Sequence, residues 1–435
     1  MRILLVLSAA PRPDGEAVEV VAYEVARHAA RLGHSVIVQV ILRDPRASAN
    51  SVRAEENLKR VDIEGGEICP PLYISDVLPK TRSSHLGFTA RGARFLRSFR
   101  KEEMFPAMRL GPIVEARVRE KRADSILSVW SWEALAATYN IRGVPKLVYY
   151  GNPDHIPAEA RLRNPALFGL PCSAPRDRIA LALQRVQNRW RKYLNVRMMR
   201  ECEITANNSI LDAKFYADHG HTRSIYLQNM WPDIVADGGG RNELVENADG
   251  VIRLIGSVGN LGATGNTFGL YYLGKELMPR LEARLAGRQL EVHILGKGTP
   301  SPLVARYMDH PSIVCRGWVD DIHREIRSAH AFLVLTNVSE DFLVGNTRIL
   351  LAWALQACVI MHTNSRLAMP EIEHGRNALL GRTPDEIADL VASVAKNPAL
   401  RERIGKGGYE TFQAFYRSDV VVPKMLSLLQ DLLPS

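Results

Sequence analysis

Apolar residues recur along the chain in two alternating rhythms. Residues 3–7 form the uninterrupted apolar run of a strand buried on both faces. Over 18–32 the apolar positions Val18, Val21, Ala22, Val25, Ala26 and Ala29 return every three or four residues, which predicts a helix. Gly33 closes that helix and 36–41 reads as the next strand, so the chain opens on a β-α-β unit, the building block of a parallel sheet. Further strands are predicted at 125–129, 146–150, 203–206 and 224–227, with helices at 133–139, 178–200 and 210–219. After the run Asp237-Gly-Gly-Gly-Arg241 the alternation restarts, with strands at 251–255, 290–295, 313–317, 331–335 and 358–363 and helices between them.

This pattern predicts an α/β chain of two Rossmann-like domains. Residues 1–233 form the first, 234–250 a linker and 251–415 the second, with a closing helix over 416–435 packing back on the first domain. Two such halves are expected to face each other across a cleft.

Composition narrows the class. Of 435 residues, 46% are hydrophobic, which is too many for a chain unable to build a core. The longest apolar runs fall far short of the ~20 residues that cross a bilayer. The opening reads as a strand rather than a cleaved leader. Cys69, Cys172, Cys202, Cys315 and Cys358 are scattered without a Cys-x-x-Cys pair, so neither a disulfide framework nor a zinc knuckle is expected, and a reducing cytoplasm is the default.

The net charge of +9 is unevenly placed. Residues 80–122 carry twelve Lys/Arg against four Glu, and 159–200 carry ten against two acids. Residues 251–435, with twenty basic and eighteen acidic residues, are near neutral.

Three constellations suggest chemistry. Gly256, Gly259, Gly262 and Gly265 recur every third residue behind a buried strand and lead through Asn266 into a helix. Glycines let a backbone approach a diphosphate, and free N–H groups at a helix start favour anions; the same residues also suit an ordinary surface loop. Next, Ser339–Arg348 follows a strand and opens a helix, with Asn346 or Thr347 as its cap and Arg348 in its first turn. A cation there opposes the helix dipole unless an anion lies between them; pairing with Glu340 or Asp341 is the alternative. Third, Arg91, Arg94, Arg97 and Arg100 alternate with Phe95, Leu96 and Phe99, a cationic face beside an aromatic one, suited to anionic lipid or simply to water. No Asp-x-Asp, His-Glu-x-x-His or Gly-x-Ser-x-Gly occurs, and no nucleic-acid-binding signature. His219 and His221 read as exposed turn residues.

The order and spacing of these pieces resemble the GT-B glycosyltransferases, and within them the retaining family 4 enzymes. Gly256-Ser257 with its helix resembles their first nucleotide-sugar loop, His293–Gly298 a strand ending in Gly-x-Gly, and Arg316–Asp321 the turn after the next strand. Thr347–Ala354 resembles the family's glutamate-bearing helix, and Met369–Leu380 its Pro-Glu…Gly-x-Asn segment. Leu227–Asp233 sits at the domain junction, and Asp14-Gly15 in the place of the first glycine-rich loop. The chain departs from the family where two glutamates stand eight positions apart: the second position falls on Arg348 or, aligned from the helix, on Leu351. The family's Arg and Lys after the first C-domain strand are replaced by Ser257, Asn260, Thr264 and Asn266, and its N-domain histidine is out of register, with His155 nearest.

What the resemblance implies is a transferase moving a sugar from a nucleoside diphosphate to a glycan or lipid-linked acceptor, with retention and no metal or other cofactor, in polysaccharide or glycoconjugate synthesis. Glu340, Arg348 and His155 are the expected catalytic residues. Gly256, Ser257, Gly259, Asn266, Gly296, Gly317, Gly345, Asn346, Thr347 and Arg348 are expected on the donor, and Gly15, Asn152 and His155 on the acceptor. The expected location is cytoplasmic, peripheral at an anionic membrane. An inactive sugar-nucleotide-binding subunit and a sugar-nucleotide epimerase are the other readings.

Overall fold

The computed structural model describes residues 1–43, 49–61, 63–78, 97–150, 153–234 and 250–433. Arg91, Arg94, Asn152 and nearly all of the expected linker lie outside the described residues. Two compact units emerge: Met1–His155 with Gln184–Gln228 and Ser418–Ser435, and Ile156–Leu183 with Asn229–Arg417.

The first unit is built on β1 (Arg2–Leu7), β2 (Ser35–Leu42), β3 (Glu67–Ile68), β4 (Leu72–Tyr73), β5 (Ser125–Val129), β6 (Lys146–Tyr150), β7 (Ile204–Asn207) and β8 (Ser224–Tyr226). Their order is β3-β2-β1-β5-β6-β7-β8, with β4 also on β2, and every pair is parallel. Central β1 pairs Leu4 with both Ile37 and Ile126, and Ile3–Leu7 are at most 1% exposed. Helices cover both faces of such a sheet, which is why its strands carry continuous apolar runs. The helix Ala17–Arg31 begins with a reciprocal cap in which the Glu16 amide donates to the Glu19 carboxylate at 2.8 Å. The last helix, Ser418–Gln430, packs along it.

The second unit holds β9 (Ile252–Val258), β10 (Leu290–Leu295), β11 (Ile313–Gly317), β12 (Ala331–Val334), β13 (Val359–His362) and β14 (Leu379–Gly381) in the order β11-β10-β9-β12-β13-β14. All are parallel. The order reverses between β9 and β12, so the crevice outside their carboxyl ends is where a sheet of this kind takes its ligand. The Met369–Leu380 segment is tied down by buried Asn377. Its amide donates to the Glu371 carbonyl at 2.8 Å and the Thr411 hydroxyl at 2.9 Å, and its side-chain oxygen accepts from the Glu373 amide at 2.8 Å. Fully buried Trp353 donates its indole N–H to the Asn377 carbonyl at 2.8 Å.

The predicted α/β class and parallel sheets are observed, with three differences. β9 continues to Val258, so Gly256 and Ser257 lie in the strand rather than after it. The missing side chain at Gly256 makes room for Val292, Ile294 and Leu273, whose side chains a β-carbon there would meet at 2.6–3.0 Å. Residues 156–183, expected in the first domain, group with the second unit because Ala160 and Leu167 are part of its core. His221, expected to be exposed, is buried against the Thr205 hydroxyl at 2.8 Å.

Candidate functional site

The glycine run after β9 is shaped by main-chain contacts. Gly259 turns the chain at φ 96°, and its amide donates to the Leu295 carbonyl at 2.9 Å. Gly296, at φ 131°, lies so close that a β-carbon would overlap the Gly259 carbonyl, and its own amide donates to Gly317 at 2.7 Å. Gly259, Gly296 and Gly317 thus join the ends of three adjacent strands, and close approach explains the glycine at 296.

Asn266, in the helix Thr264–Tyr272, fastens the loop from beneath. Buried, it donates to the Asn260 carbonyl at 2.6 Å and accepts from the Ser257 hydroxyl at 3.2 Å. Asn260 in turn accepts from the Gly262 amide at 3.0 Å.

The second constellation meets the first. Past β12, Asn337 exchanges two hydrogen bonds with the backbone of Val344, at 3.0 and 3.1 Å, and closes the intervening loop. Asn346 caps the helix Thr347–Ala354 by accepting from the Arg348 amide at 3.1 Å and donates its own side chain to Thr336. Gly345 and Thr347 flank this cap, and the Asn346 amide faces the Met369 sulfur at 3.3 Å. Arg348 therefore projects from the first turn of its helix into the crevice between β9 and β12. There it lines a narrow recess with Gly256, Ser257, Val258, Asn266 and Thr336.

The Arg348 guanidinium reaches the glycine loop: a β-carbon on Gly259 would lie 3.8 Å from Nη2. Burial pushes its pKa down to about 10, which leaves it cationic at neutral pH. Among the described residues no carboxylate pairs with it. Glu340 is exposed in the turn before the helix, and Asp341 is held by Arg163 at 3.0 Å and by Asn164 at 2.8 Å. Those hydrogen bonds, Asn164 first, hold the Asp341 carboxyl below its usual range. A desolvated cation without a counter-charge is costly, and an anion relieves it.

A further cation comes from a helix that the sequence pattern did not announce, His155–Arg163. Its Arg161 donates Nε–H to the Thr264 hydroxyl at 3.1 Å, at the start of the helix behind the glycine loop, and lies 5.7 Å over the Phe168 ring.

In the first unit His155 is buried, 5.1 Å from the Phe215 ring, and its Nδ1 has no hydrogen-bond partner among the described residues. Burial, then the charges of Lys192, His219 and Arg191, lower its pKa to about 3, so the imidazole is neutral. Gly15 has a structural reason: a β-carbon there would overlap the Glu19 side chain that caps the first helix. Sequence reasoning missed Trp130. It stands at the carboxyl end of β5 with φ 46°, a backbone region that bulky residues rarely occupy, and its indole N–H is buried without a partner among the described residues. The strand order reverses there, between β1 and β5. Arg97 and Arg100 are exposed on a turn anchored to the long helix Pro175–Arg200, where Gln187 donates to Ser98 at 2.8 Å and Trp190 to the Phe99 carbonyl at 2.7 Å.

Among the described residues no group of three or more His, Cys, Asp and Glu is placed to hold a metal, and no helix is long and apolar enough to cross a membrane.

Residues 252–397 match the family model described as glycosyl transferases group 1. No curated protein sequence matches the chain. Among solved structures, sucrose-phosphate synthase from Thermosynechococcus elongatus is similar at TM-score 0.58 and 13% identity, over 99% of each chain. HepE of Anabaena, in complex with UDP and glucose, is similar at 0.57 and 13%, again over 99% of each chain. A glycosyltransferase from Rickettsia africae ESF-5 is similar at 0.57 and 13%, over 99% of this chain and 98% of that one. At such identities the likeness is one of fold, and that fold is GT-B.

Proposed function

We propose that this chain, GT-B in fold and matching glycosyl transferases group 1 over its second unit, transfers a sugar from a nucleoside diphosphate to a glycan or lipid-linked acceptor. The transfer retains configuration, needs no metal, and serves polysaccharide or glycoconjugate synthesis in the cytoplasm at the membrane surface. The observation that carries this reading is the half-buried Arg348 guanidinium, without a carboxylate partner among the described residues, beside the glycine loop at the reversal between β9 and β12.

In the transfer, the bond between the anomeric carbon and the distal phosphate breaks and the phosphate keeps the electron pair. The acceptor oxygen bonds to that carbon on the same face, and its proton passes to the departing phosphate. Charge builds on the phosphate, so a preorganised cation and fixed N–H donors lower the barrier. Arg348 supplies the charge and the loop 256–265 the close backbone approach. Glu340 holds donor-sugar hydroxyls. On the acceptor side, neutral His155 accepts a hydroxyl hydrogen bond, and Gly15 and Asn152 are the other residues assigned to the acceptor.

Thermal shift with UDP, GDP, ADP, CDP and dTDP, followed by turnover of the sugar donor that binds, tests the reading. The UDP held by HepE makes UDP the first to try. Stabilisation by one nucleotide with sugar transfer is expected; no stabilisation by any of the five overturns it. The exposed position of Glu340, and Arg348 or Leu351 in the place of the family's second glutamate, favour a second reading, a nucleotide-binding subunit without turnover. Binding without hydrolysis or transfer decides for it.

A further inference from the structure

The helix Pro175–Arg200 displays an apolar seam to solvent. Ile179, Leu183, Val186 and Tyr193 are exposed by 63%, 40%, 50% and 52%, and with half-buried Trp190 they follow a four-three-four-three spacing that keeps them on one face. Trp190 and Tyr193 stack at 5.0 Å between centroids. The helix carries eight Lys/Arg against the single acid Asp177. Arg178, Arg189 and Arg197 are exposed beside the seam.

The turn bearing Arg97 and Arg100 is fastened to this same helix through Ser98 and Phe99. The fold therefore joins the two basic stretches through contacts that span 89 and 91 positions of the sequence. We propose that this face docks on an anionic phospholipid surface, with the apolar seam in the acyl boundary and the arginines at the headgroups. This rests on the transferase reading only for its purpose, delivery of a lipid-linked acceptor.

Charge decides among the occupants. A second copy would bring eight cations against eight, and like charges along a helix seam repel. Residues 79–96 carry four Lys/Arg and no acid, so they do not complement the face either. An acidic helix would match the seam alone. The cations of the 97–100 turn widen the basic face beyond one helix, and the Trp–Tyr pair is of the type enriched at headgroup level.

The experiment is co-sedimentation of the full chain with vesicles of phosphatidylcholine alone and of an equimolar mixture with phosphatidylglycerol. Binding to the mixture only, released by salt, is expected. Arg178→Gln and Arg189→Gln should each weaken it roughly fivefold. Ile179→Ser combined with Val186→Ser should weaken it roughly tenfold or more, while leaving thermal unfolding and nucleotide binding unchanged. Equal binding to neutral vesicles, no binding to either, or dissociation of a dimer by the seam variants overturns the proposal. Because nucleotide binding is followed in the same variants, failure here is distinct from failure of the transferase reading.

Discussion

The guanidinium of Arg348 lies beside Gly259, although 89 positions separate them in the chain: a β-carbon on Gly259 would sit 3.8 Å from Nη2. That placement sets a half-buried charge beside the glycine loop. Arg348→Met should therefore do two opposite things. Removing a half-buried charge that has no carboxylate partner among the described residues raises the melting temperature of the nucleotide-free protein. Loss of a charge-assisted bond weakens nucleotide binding by about 1.5–3 kcal/mol. Differential scanning fluorimetry with and without nucleotide reads both, and unchanged nucleotide affinity would count against the site.

Arg161 gives a second, weaker handle. It is exposed and hydrogen-bonded to Thr264, so Arg161→Ala should leave the fold intact and cost about 1 kcal/mol or less in stability. Nucleotide affinity should fall several-fold and become less dependent on salt, because a cation at the loop has gone. Titration calorimetry at two ionic strengths distinguishes this from a purely structural clasp, which would lower the melting temperature and leave the salt dependence untouched.

Asn266 acts through the loop it holds. In Asn266→Ala the Asn260 carbonyl and the Ser257 hydroxyl lose their buried partner, a destabilisation of about 1–3 kcal/mol. If the loop binds the donor, KM for the donor should rise more than kcat falls. Asn266→Asp keeps the acceptor for Ser257 and loses the donor for Asn260, and should lie between the two.

Stability should fail on the acid side. Burial lowers the pKa of His155 to about 3 and that of His330 to about 4, the latter with help from Arg401 and Arg288. Between those values and the unfolded value of about 6.5 the unfolded chain binds protons that the folded chain does not, so stability falls as pH falls through that window. The full slope is about 1.4 kcal/mol per pH unit for each histidine. Urea unfolding from pH 7 to pH 4 should show stability falling, and His155→Asn should make that fall shallower. An unchanged profile in His155→Asn would contradict a buried, neutral His155.

The sheets were legible because parallel strands, covered on both faces, write themselves as apolar runs; the predicted spans 125–129, 146–150, 290–295 and 313–317 coincide with β5, β6, β10 and β11. The two-residue strands β3 and β4 have no room for a period, and β14 is three residues long. Arg348 and Asn266 stood out because their positions, in the first turn of a helix, are chemically odd for a cation and apt for a cap. Arg161 did not: its helix has no apolar stripe, since its partners come from residues about a hundred positions later. Trp130 was equally silent, because left-handed backbone at a tryptophan is imposed by the surrounding fold and has no sequence signature.

The joint of Gly259, Gly296 and Gly317 has a consequence for inheritance. Main-chain groups make its hydrogen bonds, Gly259 to Leu295 and Gly296 to Gly317, and at Gly296 the contact is so close that it forbids a side chain. Such a joint asks almost nothing of its neighbours' identities. A lineage can replace most of the surrounding residues while the strand ends stay in register, so the platform for the loop outlives the sequence that first encoded it.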